Sequence, residues 1–456
     1  MNDKTIDAQT QKYRKVNIAI MRITTLLLMT MLLVPGMCTL QAQDNTTGPK
    51  QLSLSLRQAQ DYAVQHNCTM QNASLDLRKA EAAKWQALSS MMPQGSMGFT
   101  YSNMLGYEME FGSTGMKIPM NPNGQLSAQV AVAITGAQIV GAMISDISVK
   151  MSDITRKQTI LTTESNVKNI YTSILVMQET MALLDSSLEN IMNLKRITDA
   201  TLAAGAAEQT DADKLQVQVS TMRNTINSNK RALEVLKNSL LLQLGANPED
   251  TVVLTTQLNE ILDIASANQI LAKGFDINNN FTYQTLQQSE QLSKKQVAMA
   301  YMDFLPTLSA YYKYSWLTYF GKAEGFNMNP PHMIGANLNW NLFTIGSRIK
   351  AVSSAKIDHE KTLNSKRQAE DALKMQYKQA SYDLVNALET YNIQKENIEV
   401  TRRVFRNVTE KYKYGRASSL EVTQSSSELI SAQSSYIQAV VSVVNAQVAL
   451  EELMNN

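Results

Sequence analysis

The sequence predicts a mainly α-helical chain with a small β part, laid out as a helix, β-hairpin, long helix, helix unit used twice. Three features carry this. They are a coiled-coil seam near the C-terminus, the return of that seam 210 residues earlier, and a switch of apolar period from helical to two after a proline in each copy.

The seam reads Tyr377, Ala380, Leu384, Ala387, Tyr391, Ile398, Phe405, Val408 and Tyr412, with Gln394 and Thr401 as polar exceptions. Apolar residues at alternating steps of three and four are the a and d positions of a coiled coil. A returning arm steps by seven through Val422, Leu429, Tyr436, Val443 and Leu450. A long helix over about 346–414 therefore runs antiparallel to a shorter one. The turn is at Gly415, where glycine tolerates the positive φ of a tight reversal. Moving back 210 residues gives Val167, Ile170, Ile174, Met177, Met181, Leu184, Leu188, Ile191 and Leu202, then Gly205, then Ala212, Val219, Ile226, Leu233 and Leu240. The chain is a duplication, with an equivalent long helix over about 137–203 and a tip turn at Gly205.

Residues 1–42 read as a secretory signal peptide. Lys4, Lys12, Arg14, Lys15 and Arg22 outweigh Asp3 and Asp7, an apolar run follows over 23–34, and Pro35-Gly36 leads to cleavage after Ala42. The basic lead is overlong, so Met21 is an alternative start, and Cys38 is an alternative acylation site although Pro35-Gly36-Met37 suits that signal poorly. Without this segment the chain loses five basic and two acidic residues, and its formal charge of +2 turns slightly negative. No basic field remains to suggest nucleic acid. Cys68 is then the single cysteine, which excludes an internal disulfide and a thiolate zinc cluster. After the signal no apolar run reaches the roughly 18 residues of a membrane-crossing helix, so a membrane part must use strands.

The first repeat, 43–245, opens with Leu56, Ala59, Ala63, Leu75, Leu77, Ala80, Ala83 and Leu88 at helical spacing until Pro93 stops them. A strand over about 95–105 sets Met97, Phe99 and Tyr101 against Gly98, Thr100 and Ser102. After a loop of Gly, Pro and Asn over 106–124, a second strand over about 125–135 sets Val130, Val132 and Ile134 against Gln129, Ala131 and Ala133. The arm returning from Gly205 to Gly245 is about half the long rod, and the helix before the hairpin, about 54–92, stacks on its end to supply the other half. Residues 246–282 read as an irregular polar connector.

The second repeat, 283–456, replays the plan. A helix runs to Leu305-Pro306, and a strand over about 307–318 sets Tyr312, Tyr314 and Trp316 against Tyr311, Lys313 and Ser315. A loop spans 321–331, and the return strand over about 333–343 sets Ala336, Leu338, Trp340 and Leu342 against Asn337, Asn339 and Asn341. Strands of about ten residues, apolar on one face and amide or hydroxyl on the other, suit a barrel wall with lipid outside and water inside. Phe99, Tyr101, Tyr312, Tyr314, Trp316, Leu338 and Trp340 are then the lipid-facing residues, and Asn337, Asn339 and Asn341 face the lumen. Four strands are too few to close, since a workable barrel needs about eight, so the strands must be shared among copies; three copies give twelve. Soluble hairpins packed on a core are the alternative, but rods this thin offer no core.

The helix, proline, hairpin and long-helix order resembles the TolC family of outer-membrane channels. So do its duplication, Leu305-Pro306-Thr307-Leu308-Ser309, Trp340-Asn341-Leu342-Phe343 with Gly346, and Tyr412-Lys413-Tyr414-Gly415 through Ser418, Leu420, Glu421, Val422 and Ala432. The resemblance covers roughly residues 52–456 and rests on the ensemble of motifs. It implies a homotrimer in the cell outer membrane of a Gram-negative type envelope, with a twelve-stranded β-barrel in lipid and a coiled-coil α-barrel across the periplasm. It also implies a passive, gated exit duct for efflux or type I secretion, with a periplasmic adaptor protein and an inner-membrane pump or secretion ATPase as partners.

In that arrangement Gly205 and Gly415 sit at the periplasmic tip. Asp211 and Glu421, each six residues beyond its glycine, and Asp213 place carboxylates around the mouth, where three copies favour cations. The resemblance implies a second carboxylate where Gln424 stands and a base where Ala417 stands, with Arg416 one position early, so the acidic ring is thinner here. Acidic residues in a helix's first turn also serve as caps, which is the alternative for Asp211, Asp213 and Glu421. Tyr412 carries the tip aromatic, which bonds to a neighbouring helix or closes the seam as a core residue.

No enzyme chemistry is visible. His66, His332 and His359 are scattered, no pair stands at metal-ligand spacing, and no phosphate loop or nucleophile elbow occurs. No cofactor is expected. A non-channel coiled-coil protein of the periplasm or surface is the other function class.

Overall fold

The computed structural model describes residues 50–111, 116–205, 208–262, 264–320 and 330–455, without the side chains of 109–119 and 265. The signal peptide, Cys38, Met21 and most of the 321–331 loop lie outside the described residues.

Each long heptad pattern folds as one uninterrupted rod. With β1 (Gln51–Leu54), α1 (Leu56–His66), α2 (Cys68–Ser89), β2 (Gln94–Ser102), β3 (Glu108–Phe111), β4 (Met116–Pro119) and β5 (Asn123–Ile134) before it, the first rod is α3 (Gly136–Ala203). At 1.5 Å per residue it is on the order of 100 Å long. α4 (Gln209–Leu244) returns along it. Then come β6 (Thr251–Leu254), α5 (Leu258–Ile261), α6 (Ile264–Ala272), a 3₁₀ turn (Ile277–Asn279), α7 (Phe281–Met302), β7 (Thr307–Tyr319) and β8 (His332–Asn339). The second rod is α8 (Ser347–Lys413), and α9 (Ser419–Met454) returns along it.

Neighbouring helices keep the lateral order α2, α3, α7, α8 on the sheet side and α4, α3, α9, α8 on the tip side. The sheet has the same order, β2-β5-β7-β8, all antiparallel, because each strand continues its own helix. The seam residues fill the helix contacts: Val167, Ile174, Leu184, Ile191, Leu384, Tyr391, Ile398, Val422, Val443 and Leu450 are buried.

Each broken rod is joined by the same bond. Asn67 caps α2, its Oδ1 accepting from the Thr69 N–H at 2.7 Å, while its Nδ2 donates to the Gln243 carbonyl at 2.7 Å near the end of α4. Asn280 caps α7 through the Tyr283 N–H at 3.1 Å and donates to the Leu453 carbonyl at 2.8 Å near the end of α9. Both side chains are buried, and the helices they finish end on left-handed residues, Gly245 (φ 71°) and Asn455 (φ 53°). At Gly245 the backbone of His66 comes so close that no Cβ fits. End-to-end stacking is therefore a specific polar joint, made twice.

The connector differs from expectation. The described residues of 246–282 include regular elements and are partly apolar. β6 pairs in parallel with β1, and Val252, Ile261, Ala267 and Ile270 are buried against the rods. The buried Tyr171 ties this layer to α3, donating to the Leu54 carbonyl at 3.0 Å and accepting the Thr256 N–H at 3.1 Å. Its short apolar runs have no repeated period, which hid them. The 106–124 loop likewise carries the small hairpin β3–β4. The return strand ends at Asn339 rather than 343. Its next ladder partner would be Pro306, which has no N–H to offer, so Trp340 and Asn341 lie beyond the ladder. β2 ends at Ser102, where Asn103 Oδ1 accepts the Leu105 N–H and turns the chain.

The joint makes a quantitative expectation. Asn67→Ala and Asn280→Ala each remove a cap and leave a half-buried carbonyl without its donor, so each should lower stability by about 1–2 kcal/mol. Denaturant unfolding followed by helical circular dichroism should show this. An equal loss from the exposed Asn72→Ala would contradict it.

Candidate channel wall and tip gate

The register divides the sheet into two faces, because residues directly opposite in an antiparallel ladder point the same way. Phe99 lies opposite Leu126 and Leu126 opposite Trp316; Val130, Tyr312 and Ile334 form another row, as do Ala128, Tyr314 and His332. Tyr101 and Leu338 fall on this face through Gly124 and Leu308. The other face carries Thr100 and Gln125, Ser127 and Ser315, Ser96 and Gln129, and Asn337 opposite Ser309, with Asn339 opposite Thr307. Phe99, Tyr101, Tyr312, Trp316, Ile334 and Leu338 are all exposed in the single chain. An apolar face this contiguous needs a cover, and no other described element packs on it.

Below the sheet, Trp340 Nε1 donates to the Phe304 carbonyl at 3.1 Å, Arg348 donates to the Asn341 carbonyl at 2.6 Å, and the Arg348 guanidinium lies 5.8 Å from the Phe304 ring. These contacts fix the strand-to-rod corner, with Gly346 in the left-handed region before α8 (φ 74°).

At the opposite end, Gly205 (φ 73°) and Gly415 (φ 66°) make the two hairpin turns. Leu194, Leu215 and Val422 are buried together there, with Phe405, Val408 and Tyr412 packed beside them, so all four tip helices meet. Tyr412 does both things expected of it. Its ring closes the seam, and its hydroxyl lies 2.7 Å from Thr198 Oγ1 on the other repeat's rod. Thr198 spends its own proton on the Leu194 carbonyl, so Tyr412 is the donor. A second link between repeats runs from Ser419 Oγ to the Asp211 carboxylate.

Glu421 adopts the capping geometry. Its Oε2 accepts from the Ser418 N–H at 2.7 Å and Oγ–H at 3.1 Å, while its own N–H donates to Ser418 Oγ at 3.2 Å. The Ser418 backbone N–H, then its hydroxyl, hold the Glu421 carboxyl below the usual glutamate range, so it keeps its charge to a lower pH than a free glutamate. Asp213 accepts from Gln209 on its own helix, and the exposed Arg416 donates its backbone N–H to the Lys411 carbonyl. Thr198 and Ser419 were missed in the sequence. The available signal was a threonine standing where the other repeat has Val408 in the seam. Among the described residues no group of three or more His, Cys, Asp or Glu side chains could hold a metal ion.

Comparison places these features in a known architecture. Residues 277–456 match the model of the family described as outer membrane efflux protein. No curated protein sequence matches the chain. The fold is that of VceC from Vibrio cholerae, an outer membrane protein, at 13% identity and TM-score 0.72 over 88% of this chain and 96% of that one. The CmeC outer membrane channel of Campylobacter jejuni is 17% identical, with TM-score 0.70 over 88% and 85% of the two chains. The open-state MtrE outer membrane channel of Neisseria gonorrhoeae is 13% identical, with TM-score 0.70 over 88% and 89%.

The two faces yield a direct expectation. In the membrane-embedded protein, Asn337→Cys and Asn339→Cys should react with a water-soluble maleimide while Leu338→Cys and Tyr312→Cys stay unlabelled. Equal labelling at all four positions would reject the face assignment.

Proposed function

We propose that this chain, an outer-membrane channel subunit whose second repeat belongs to the outer membrane efflux protein family, works as one third of a gated exit duct. It lies in the outer membrane and reaches into the periplasm. The observation that supports the trimer is the pair of free sheet edges: among the described residues β2 and β8 each have one neighbour only. Unbonded edge groups in hydrocarbon cost several kcal/mol each, and β8 of one copy meeting β2 of the next closes a ring of strands around a threefold axis. The helix edges support the same closure. Val217, Val235, Leu242, Leu75 and Trp85 are exposed along α4 and α2, and Met375, Tyr382, Ile393, Val400 and Val404 along α8.

The duct is passive, and energy for efflux or type I secretion comes from an inner-membrane pump or secretion ATPase joined through a periplasmic adaptor. The tip is the gate. Tyr412 to Thr198 and Ser419 to Asp211 hold the repeats together at rest, and three copies each of Glu421 and Asp211 give the mouth a cation-favouring ring.

Two measurements test this. The detergent-extracted protein should have the mass of three chains and fractionate with the outer membrane; a monomer soluble without detergent would reject the reading. In planar bilayers, Tyr412→Phe with Asp211→Ala should raise resting conductance, and adding Glu421→Ala should weaken cation preference or divalent block. Conductance and selectivity identical to the parent would remove the gate from these residues.

A further inference from the structure

We infer that Lys313 sets the charge preference of the strand wall, forming in the trimer a basic ring that favours anionic cargo in the barrel. This rests on the trimeric channel reading above. Lys313 is the only Asp, Glu, Lys or Arg in β2, β5, β7 and β8. It lies opposite Gln129 and Met333, and Gln129 lies opposite Ser96, so it shares the amide-and-hydroxyl face with Asn337. On the apolar face a lysine near the bilayer midplane would be destabilising, and the register puts the charge where water can solvate it.

Among the described residues no carboxylate pairs with this charge. Its row is neutral, and Tyr311 and Ser315, its neighbours on the same face of β7, are neutral too. The described ion pairs all lie on the helices. Threefold symmetry sets one ammonium per subunit at a single height, and no carboxylate on any of the four strands neutralises them. The screening length is about 10 Å at 0.1 M salt and about 3 Å at 1 M, so this field spans much of the bore in dilute salt and retreats to the wall in concentrated salt. The strand wall thus selects with the opposite sign to the carboxylates at the tip.

The experiment is reversal potential in planar bilayers under a dilute KCl gradient. It uses the full-length protein and its Asp211→Ala, Glu421→Ala form, each with Lys313, Lys313→Gln or Lys313→Glu. The expected result is a shift toward the potassium equilibrium potential in the order Lys, Gln, Glu in both backgrounds, fading in concentrated KCl. Lys313→Cys should behave like Lys313→Gln and regain anion preference when modified with a cationic methanethiosulfonate. Conducting variants with unchanged reversal potentials, or a modified cysteine that regains nothing, would overturn the inference while leaving the channel intact. Absence of conductance from every form, the parent included, would overturn the channel reading instead.

Discussion

Hydrocarbon offers no hydrogen-bond partners, and a sheet placed in it must leave no strand edge open. Among the described residues the sheet has four strands in register and two bare edges, so in the proposed duct its β part is complete only when copies join. The rest of the architecture follows from that shortfall. The strands must be held upright at matched heights, and each is held by the helix it continues. The helices keep the same lateral order as the strands, so the sheet and the helical wall are one surface of changing secondary structure.

The wall alternates continuous and jointed rods. α3 and α8 run its full length, while α4 with α2 and α9 with α7 cover the same span in two pieces. The joint is needed because the chain leaves the wall there to build the middle layer around β1, β6 and Tyr171. A buried asparagine at each joint serves both helix ends, capping the donors of one and the acceptors of the other. At the tip the two repeats differ. Thr198 stands where Val408 is the counterpart, and Ser418 with Glu421 caps α9 where Glu208 makes no side-chain cap to α4. The first of those departures carries a link between the repeats, Tyr412 to Thr198.

Periodic parts of the fold were legible in the sequence and aperiodic parts were not. The heptads at Leu384, Tyr391, Ile398, Val422 and Val443 gave the rods to within a residue or two, and the alternation around Trp316 and Asn337 gave both sheet faces. The connector was misread because β6 and α6 are shorter than the windows in which a period is visible, and what orders them is contact with α3 and α8. The ends of the strands were set by single residues, Pro306 opposite Trp340 and the Asn103 turn, whose effect depends on a partner the sequence does not reveal. The tip residues were found as types but not as contacts. Glu421 looked like a mouth carboxylate and is also a helix cap, and Thr198 bonds a tyrosine that is adjacent only in space.

In the proposed trimer, the turn from α3 into α4 and that from α8 into α9 must end level for three copies to meet in one mouth. Because the seam recurs every seven residues, an insertion toward the tip keeps the packing only when it comes as a whole heptad, roughly 10 Å of rod. It must also be matched in the antiparallel mate and repeated in the other hairpin. The reach of such a tube into the periplasm can therefore change during descent only in coordinated quanta shared by four helices, whereas the sheet above can vary its loops freely.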